Sequence, residues 1–150
     1  MRSPAPGVAA TRQDCPVIRI TPSRARLWLV AWLVVAAALT LTPVPAETRP
    51  PILVPLTGIL LGFEQGGAAF GVVQVVGNLL LLLPVGALLP VGFGGVGLRH
   101  VLVAGLAVSL GIELVQWGMG AGRQPDVDDV WMNTLGAAAG WWLTSRTRGP

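Results

Sequence analysis

Apolar residues along this chain fall in long blocks rather than at a helical or strand period. The blocks run from Leu27 to about Leu41, Ile52 to Phe63, Phe70 to about Val91, Val101 to about Trp117, and Asp129 to Leu143. Blocks of this kind, apolar all round, read as helices buried in lipid or in a core. The 12-residue block Ile52–Phe63 is too short to cross a bilayer and reads as an interfacial or re-entrant piece. That leaves about four transmembrane helices. Pro84 lies inside the second of them. It has no amide proton for the Leu80 carbonyl, so a kink is expected there. Pro43, Pro45, Pro50, Pro51 and Pro55 make the connection after the first helix an extended loop.

Composition turns this pattern into a membrane assignment. Of 150 residues, 53% are hydrophobic and 11% are charged. A soluble domain carries about 25% charged residues. Too little polar sequence remains here to cover a soluble bundle. Residues 1–26 are polar, hold five Arg and read as a flexible cytoplasmic tail, with the membrane domain over 27–150. Val44-Pro-Ala46 resembles a signal-peptide cleavage site. The long Arg-rich lead-in and the intervening Pro45 favour a retained first helix over a cleaved signal.

Charge sets an expected orientation. All ten basic residues are Arg. With the N-terminus inside, Arg2, Arg12, Arg19, Arg24, Arg26, Arg99, Arg146 and Arg148 are inner, and Arg49 and Arg123 are outer. Eight against two satisfies the positive-inside bias, with both termini cytoplasmic. The six Trp residues lie at block ends, where interface anchors belong. The Arg residues form no stripe, which excludes a nucleic-acid partner. Cys15 and His100 have no metal-ligand neighbours at motif spacing. A divalent-metal site made by Asp126, Asp128 and Asp129 is a further reading, since their oxygens suit a hard cation. They lack the Gly-containing loop of a calcium hand, so neither a metal nor a cofactor is expected.

The polar residues inside the apolar blocks are the candidate chemistry. An ionisable group in a membrane helix costs a few kcal/mol or more and marks a functional site by default. Gln74 and Asn78 share one face of the second helix. Glu113 and Gln116 share a face of the third. Asp126, Asp129 and Asn133, spaced three and four apart, open the fourth. Its stripe continues through Gly136 and Gly140, a small-xxx-small pattern for close helix approach. The expected topology brings these groups to one depth, with Asn78 meeting Glu113 and Arg123 pairing with a carboxylate. The binding cluster is therefore Asn78, Glu113, Gln116, Arg123, Asp126, Asp129 and Asn133. A satisfied internal network that only fixes the bundle is the alternative reading for any one of them.

Several of these residues also carry a resemblance. Gly77-Asn78 with Pro84-Val-Gly86, then Ser109, Glu113-Leu-Val-Gln116, Gly122-Arg123, Asp126, Asp128-Asp129, Asn133-Thr-Leu-Gly136 and Gly140 resemble the VanZ-like family of bacterial membrane proteins, over about residues 70–143. The resemblance implies a multi-pass protein of the bacterial cytoplasmic membrane and cell envelope. It also implies an accessory role in resistance to teicoplanin-type glycopeptide antibiotics. The partners would be the lipid bilayer and a cell-wall precursor, a lipid headgroup or the glycopeptide itself. A membrane-embedded enzyme, with Glu113 or Asp129 as general acid or base on a lipid-linked substrate, is the competing reading. No nucleophile with a His base stands near them, so no catalytic residue is assigned and an enzyme is the less favoured reading.

Overall fold

The computed structural model describes residues 20–43, 50–120 and 124–147. Cys15, Arg49, Arg123, Arg148 and most of the expected tail lie outside these segments. Four helices follow one another: α1 (Pro22–Leu41), α2 (Thr57–Phe93), α3 (Leu98–Met119) and α4 (Val127–Arg146). The fold is all-α.

Helix α1 begins five residues before the apolar block at Leu27. Thr21 and Pro22 explain the early start. The Thr21 hydroxyl accepts from the Arg24 N–H at 3.4 Å, and Pro22 occupies the first turn, where its missing N–H costs nothing. α1 contributes Leu29 and Ala36 to a core with Leu81, Leu82, Val85, Val101 and Ala137.

Helix α2 is longer than expected because it absorbs Thr57–Phe63, the later part of the Ile52–Phe63 block. Its helical path breaks at Gly67, where φ is 78° and ψ 173°. That is backbone only glycine adopts readily. The break turns 57–66 back against the start of 68–93. Gly71 packs on the Phe63 ring, and Gly62 lies against the Gln74 side chain. The helix continues through Pro84 and Pro90, so the break in backbone angles falls at Gly67. Next to the carbonyl freed by Pro84, the Trp32 indole N–H donates to the Leu81 carbonyl at 2.7 Å.

Close packing of α2 on α4 sets the centre of the bundle. A Cβ on Gly136 would overlap the Leu79 carbonyl oxygen, one on Gly140 the Leu83 carbonyl, and one on Gly86 the Ala137 carbonyl. The two helices therefore run side by side in the same direction, backbone against backbone. α3 presents Val101, Gly105, Ser109, Glu113 and Gln116 inward, a stripe at four- and three-residue spacing. It ends at Gly120, whose φ is 58° and whose N–H reaches the Gln116 and Trp117 carbonyls.

α1 starts and α4 ends at the same end of the bundle. Arg26 lies over the Phe93 ring there, and the Trp141 indole donates to the Val96 carbonyl at 3.0 Å. The opposite end holds the close of α1 and α3, the Gly67 break and the start of α4.

Three helices, α1, α2 and α3, are long and apolar enough to cross a membrane. The expected fourth, α4, has 20 residues, but Asp128 and Asp129 in its first turn and Arg146 in its last dilute its apolar character. Large apolar side chains face outward on all four helices, among them Val30, Val34, Val73, Leu80, Val103, Leu114, Leu135 and Leu143. Such a surface suits lipid and not water. The chain is a multi-pass membrane protein.

Candidate functional site: a polar cleft where α4 begins

Three carboxylates organise the start of α4, and each does something different. Asp126 is the N-cap: its Oδ1 accepts from the Asp128 N–H at 2.9 Å. Its Oδ2 packs against the Cα of Gly58. Burial pushes the Asp126 carboxyl above the usual carboxylate range. The Asp128 N–H pulls it back and the Asp128 charge adds to the rise.

Asp128 caps a different helix. Its Oδ1 accepts from the Leu56 N–H at 2.7 Å and its Oδ2 from the Ile59 N–H at 3.2 Å. These are orphan donors at the start of α2, where Leu56 has φ 69° and its side chain makes no cap. The strand-like segment beside it is tied in as well. Ile52 donates to the Pro125 carbonyl at 2.8 Å, and Val127 donates to the Ile52 carbonyl at 3.0 Å. Asp128→Ala is expected to cost about 2 kcal/mol, the scale of a lost charged cap. It should lower the melting temperature in detergent and open 50–66 to protease. Unchanged melting and cleavage would remove Asp128 from this role.

Asp129 faces an open space. The Asn78 Nδ2 donates to its Oδ1, and Gln74 also reaches the carboxylate. Both partners are neutral amides. Asp129 lines two adjoining hollows of about 380 and 360 Å³. The first lies under 57–66 and is bounded by Gly58, Gly62, Gln65, Phe70, Gln124 and Asp126. The second lies beside α2, bounded by Phe70, Val73, Gly77, Asn78, Gln116 and Gln124. Phe70, Gln74, Gln124 and Asp129 border both, so they form one cleft.

The remaining residues of the cluster divide. Gln116 borders the second hollow while its Nε2 donates to the Thr40 carbonyl at 2.7 Å, joining α3 to α1. Glu113 is turned to the other side of the Ile52–Asp126 strip. Its Oε2 accepts from the Asp126 N–H at 3.1 Å, and it borders an apolar hollow of about 240 Å³ with Leu110, Leu114 and Val130. The expected Asn78–Glu113 meeting is thus replaced by Asn78–Asp129 and Glu113–Asp126. Asn133 is 2% exposed and lies a turn deeper. Its Nδ2 donates to the Ser109 hydroxyl at 2.9 Å, and its Oδ1 has no described partner. Among the described residues no group of three or more His, Cys, Asp or Glu is placed to hold a metal ion.

The helical spacing puts Gln74 on the same face as Asn78, but the sequence alone does not put it in the cluster. Nor does it point to Gln65, Phe70 and Gln124, which no motif distinguishes. Asp128 was visible as the middle of an acidic run, but its partners are 69 and 72 residues away, beyond any local signal.

Neither the curated proteins nor the solved structures compared with the chain gave a match. The family description VanZ/LLP1 matches residues 27–148, a span that takes in α1 from Leu27 onward and the whole of the other three helices. With that span and the acid-and-amide start of α4, the chain belongs to the VanZ/LLP1 family.

Proposed function

We propose that this protein is a cell-envelope accessory protein whose cleft binds the polar part of an envelope amphiphile. The observation that carries the reading is Asp129. A carboxylate near the bilayer, held by neutral amides and bordering about 380 Å³ of space, is costly unless something uses it. The amphiphile is a cell-wall precursor, a lipid or a glycopeptide of the teicoplanin type, the class to which the family's name points. In this reading α4 is the fourth span, sheltered by α2 and α3, both termini are cytoplasmic, and the cleft faces outward. The Arg distribution supports that orientation, with eight residues on the inner side and two on the outer.

A binding role is favoured over acid–base chemistry because the two candidate carboxylates border different hollows. Glu113 opens on an apolar one and Asp129 on the polar cleft, so these two acids do not flank one substrate position. The test is susceptibility of a deletion strain across cell-wall-targeting drugs, with complementation by the wild-type chain. A deletion strain unchanged for every drug would remove the envelope role.

Orientation has its own test. Single cysteines at Ser3, Ala121 and Thr147, in a Cys15→Ser background, are probed in intact cells with a membrane-impermeant thiol reagent. Labelling is expected at 121 alone. Labelling at 3 or 147 without 121 would invert the topology.

A further inference from the structure

The second hollow is open sideways. Phe70, Val73, Gly77 and Leu80 follow one another at three- and four-residue spacing, so they form one stripe of α2. Phe70, Val73 and Leu80 are 56%, 69% and 54% exposed, an apolar strip running from the cleft down the helix. At Gly77 a Cβ would meet nothing within 4 Å. Gly77 differs in this from Gly86, Gly136 and Gly140, whose missing side chains admit a neighbouring backbone. The space over Gly77 belongs to the cleft.

The cleft's polar lining is rich in acceptors. Asp126 and Asp129 supply carboxylates, and Gln65, Gln74 and Gln124 supply amide oxygens. No Lys, Arg or His stands among the described residues that border it. A phosphate placed there would face two carboxylates at low dielectric. A hydroxyl headgroup brings donors but no charge. A primary ammonium brings three donors, no acceptor and a positive charge that none of the described lining residues supplies.

Resting on the reading of this cleft as a ligand site, we propose that its ligand is an amphiphile with a primary ammonium headgroup. It enters from the bilayer over Gly77 and lays its chain along the Phe70–Leu80 stripe. The ammonium sits against Asp129, where Asn78 and Gln74 already hold the carboxylate in place.

The test uses the full chain in phosphatidylcholine nanodiscs, with empty discs subtracted. Three radiolabelled probes share a hexadecyl chain and differ in headgroup: ammonium, glucosyl or phosphate. Saturable binding of the amine is expected, at least tenfold tighter than either other probe. Gly77→Phe puts a ring into the space where a Cβ meets nothing within 4 Å, and should weaken amine binding tenfold or more at an unchanged melting temperature. Gly111→Phe, on α3 where a Cβ also meets nothing, should bind as the wild type does. Asp129→Asn should erase the preference for the amine, and it decides the question independently should Gly77→Phe fold poorly. Equal binding of all three probes, or preference for the phosphate, overturns the proposal. Preference for the glucoside, lost in Gly77→Phe, overturns the ammonium and leaves the cleft as a ligand site. Full complementation by both Gly77→Phe and Asp129→Asn would overturn the ligand site along with it.

Discussion

Gly136→Leu is expected to remove the folded protein from the membrane. The position lies where α4 meets α2, and even a Cβ there would overlap the Leu79 carbonyl oxygen. A leucine would force the helices apart along the whole run from Gly136 to Gly140. Overpacking in a core costs about 1–3 kcal/mol when neighbouring side chains can shift. Here the obstacle is main chain, which cannot turn aside, so the cost lies at or above the top of that range. Separation of α2 from α4 would also undo the Asn78–Asp129 contact and the Thr144 hydroxyl bond to the Ala87 carbonyl. Membrane-fraction level and melting temperature should both fall steeply, and complementation should fail with them. A Gly136→Leu protein of normal level and melting temperature would show that the helices do not pack this way.

Asp129→Asn and Glu113→Gln should part company. The sequence offers them as equals, two acids at similar depth. In the structure Asp129 borders the polar cleft, and Glu113 accepts a backbone N–H on its far side. A glutamine oxygen at 113 can still accept from the Asp126 N–H, so Glu113→Gln should keep most of the protein's activity and lose about 1 kcal/mol of stability. An asparagine at 129 can hold the Asn78 amide yet carries no charge. Asp129→Asn should abolish complementation while the protein remains folded and at normal level. Loss of complementation in both, with both proteins folded, would return Glu113 to the site. Retention in both would leave the carboxylates a structural role only.

The two variants show how far the sequence could be read. The helices were legible because lipid demands long apolar stretches, and the polar residues stood out against them. Gly136 and Gly140 were legible as a stripe because a helix repeats. The division between Asp129 and Glu113 was not, because it depends on which side of the Ile52–Asp126 strip each faces. That strip is built from a loop with no periodicity. The fate of Ile52–Phe63 was half legible. Its length ruled out a span, but only the left-handed backbone at Gly67 makes it fold back on α2. Gly66 and Gly67 stand side by side in the sequence, and nothing local says which of them turns the chain. The early start of α1 was legible in principle from Thr21-Pro22, a capping signature masked by the charged residues that follow.

The cap that Asp128 provides has a consequence for the order of assembly. The donors it satisfies belong to Leu56 and Ile59, made long before it on the ribosome. Until the last helix is inserted, the Asp128 carboxylate is not there to accept from those N–H groups, and 57–66 can fold only against the start of 68–93. A nascent chain arrested after α3 would hold three apolar helices and no cleft. The last helix thus completes both the cap of α2 and the cleft. A product truncated before α4 would leave the Leu56 and Ile59 N–H groups without the Asp128 carboxylate that accepts them here.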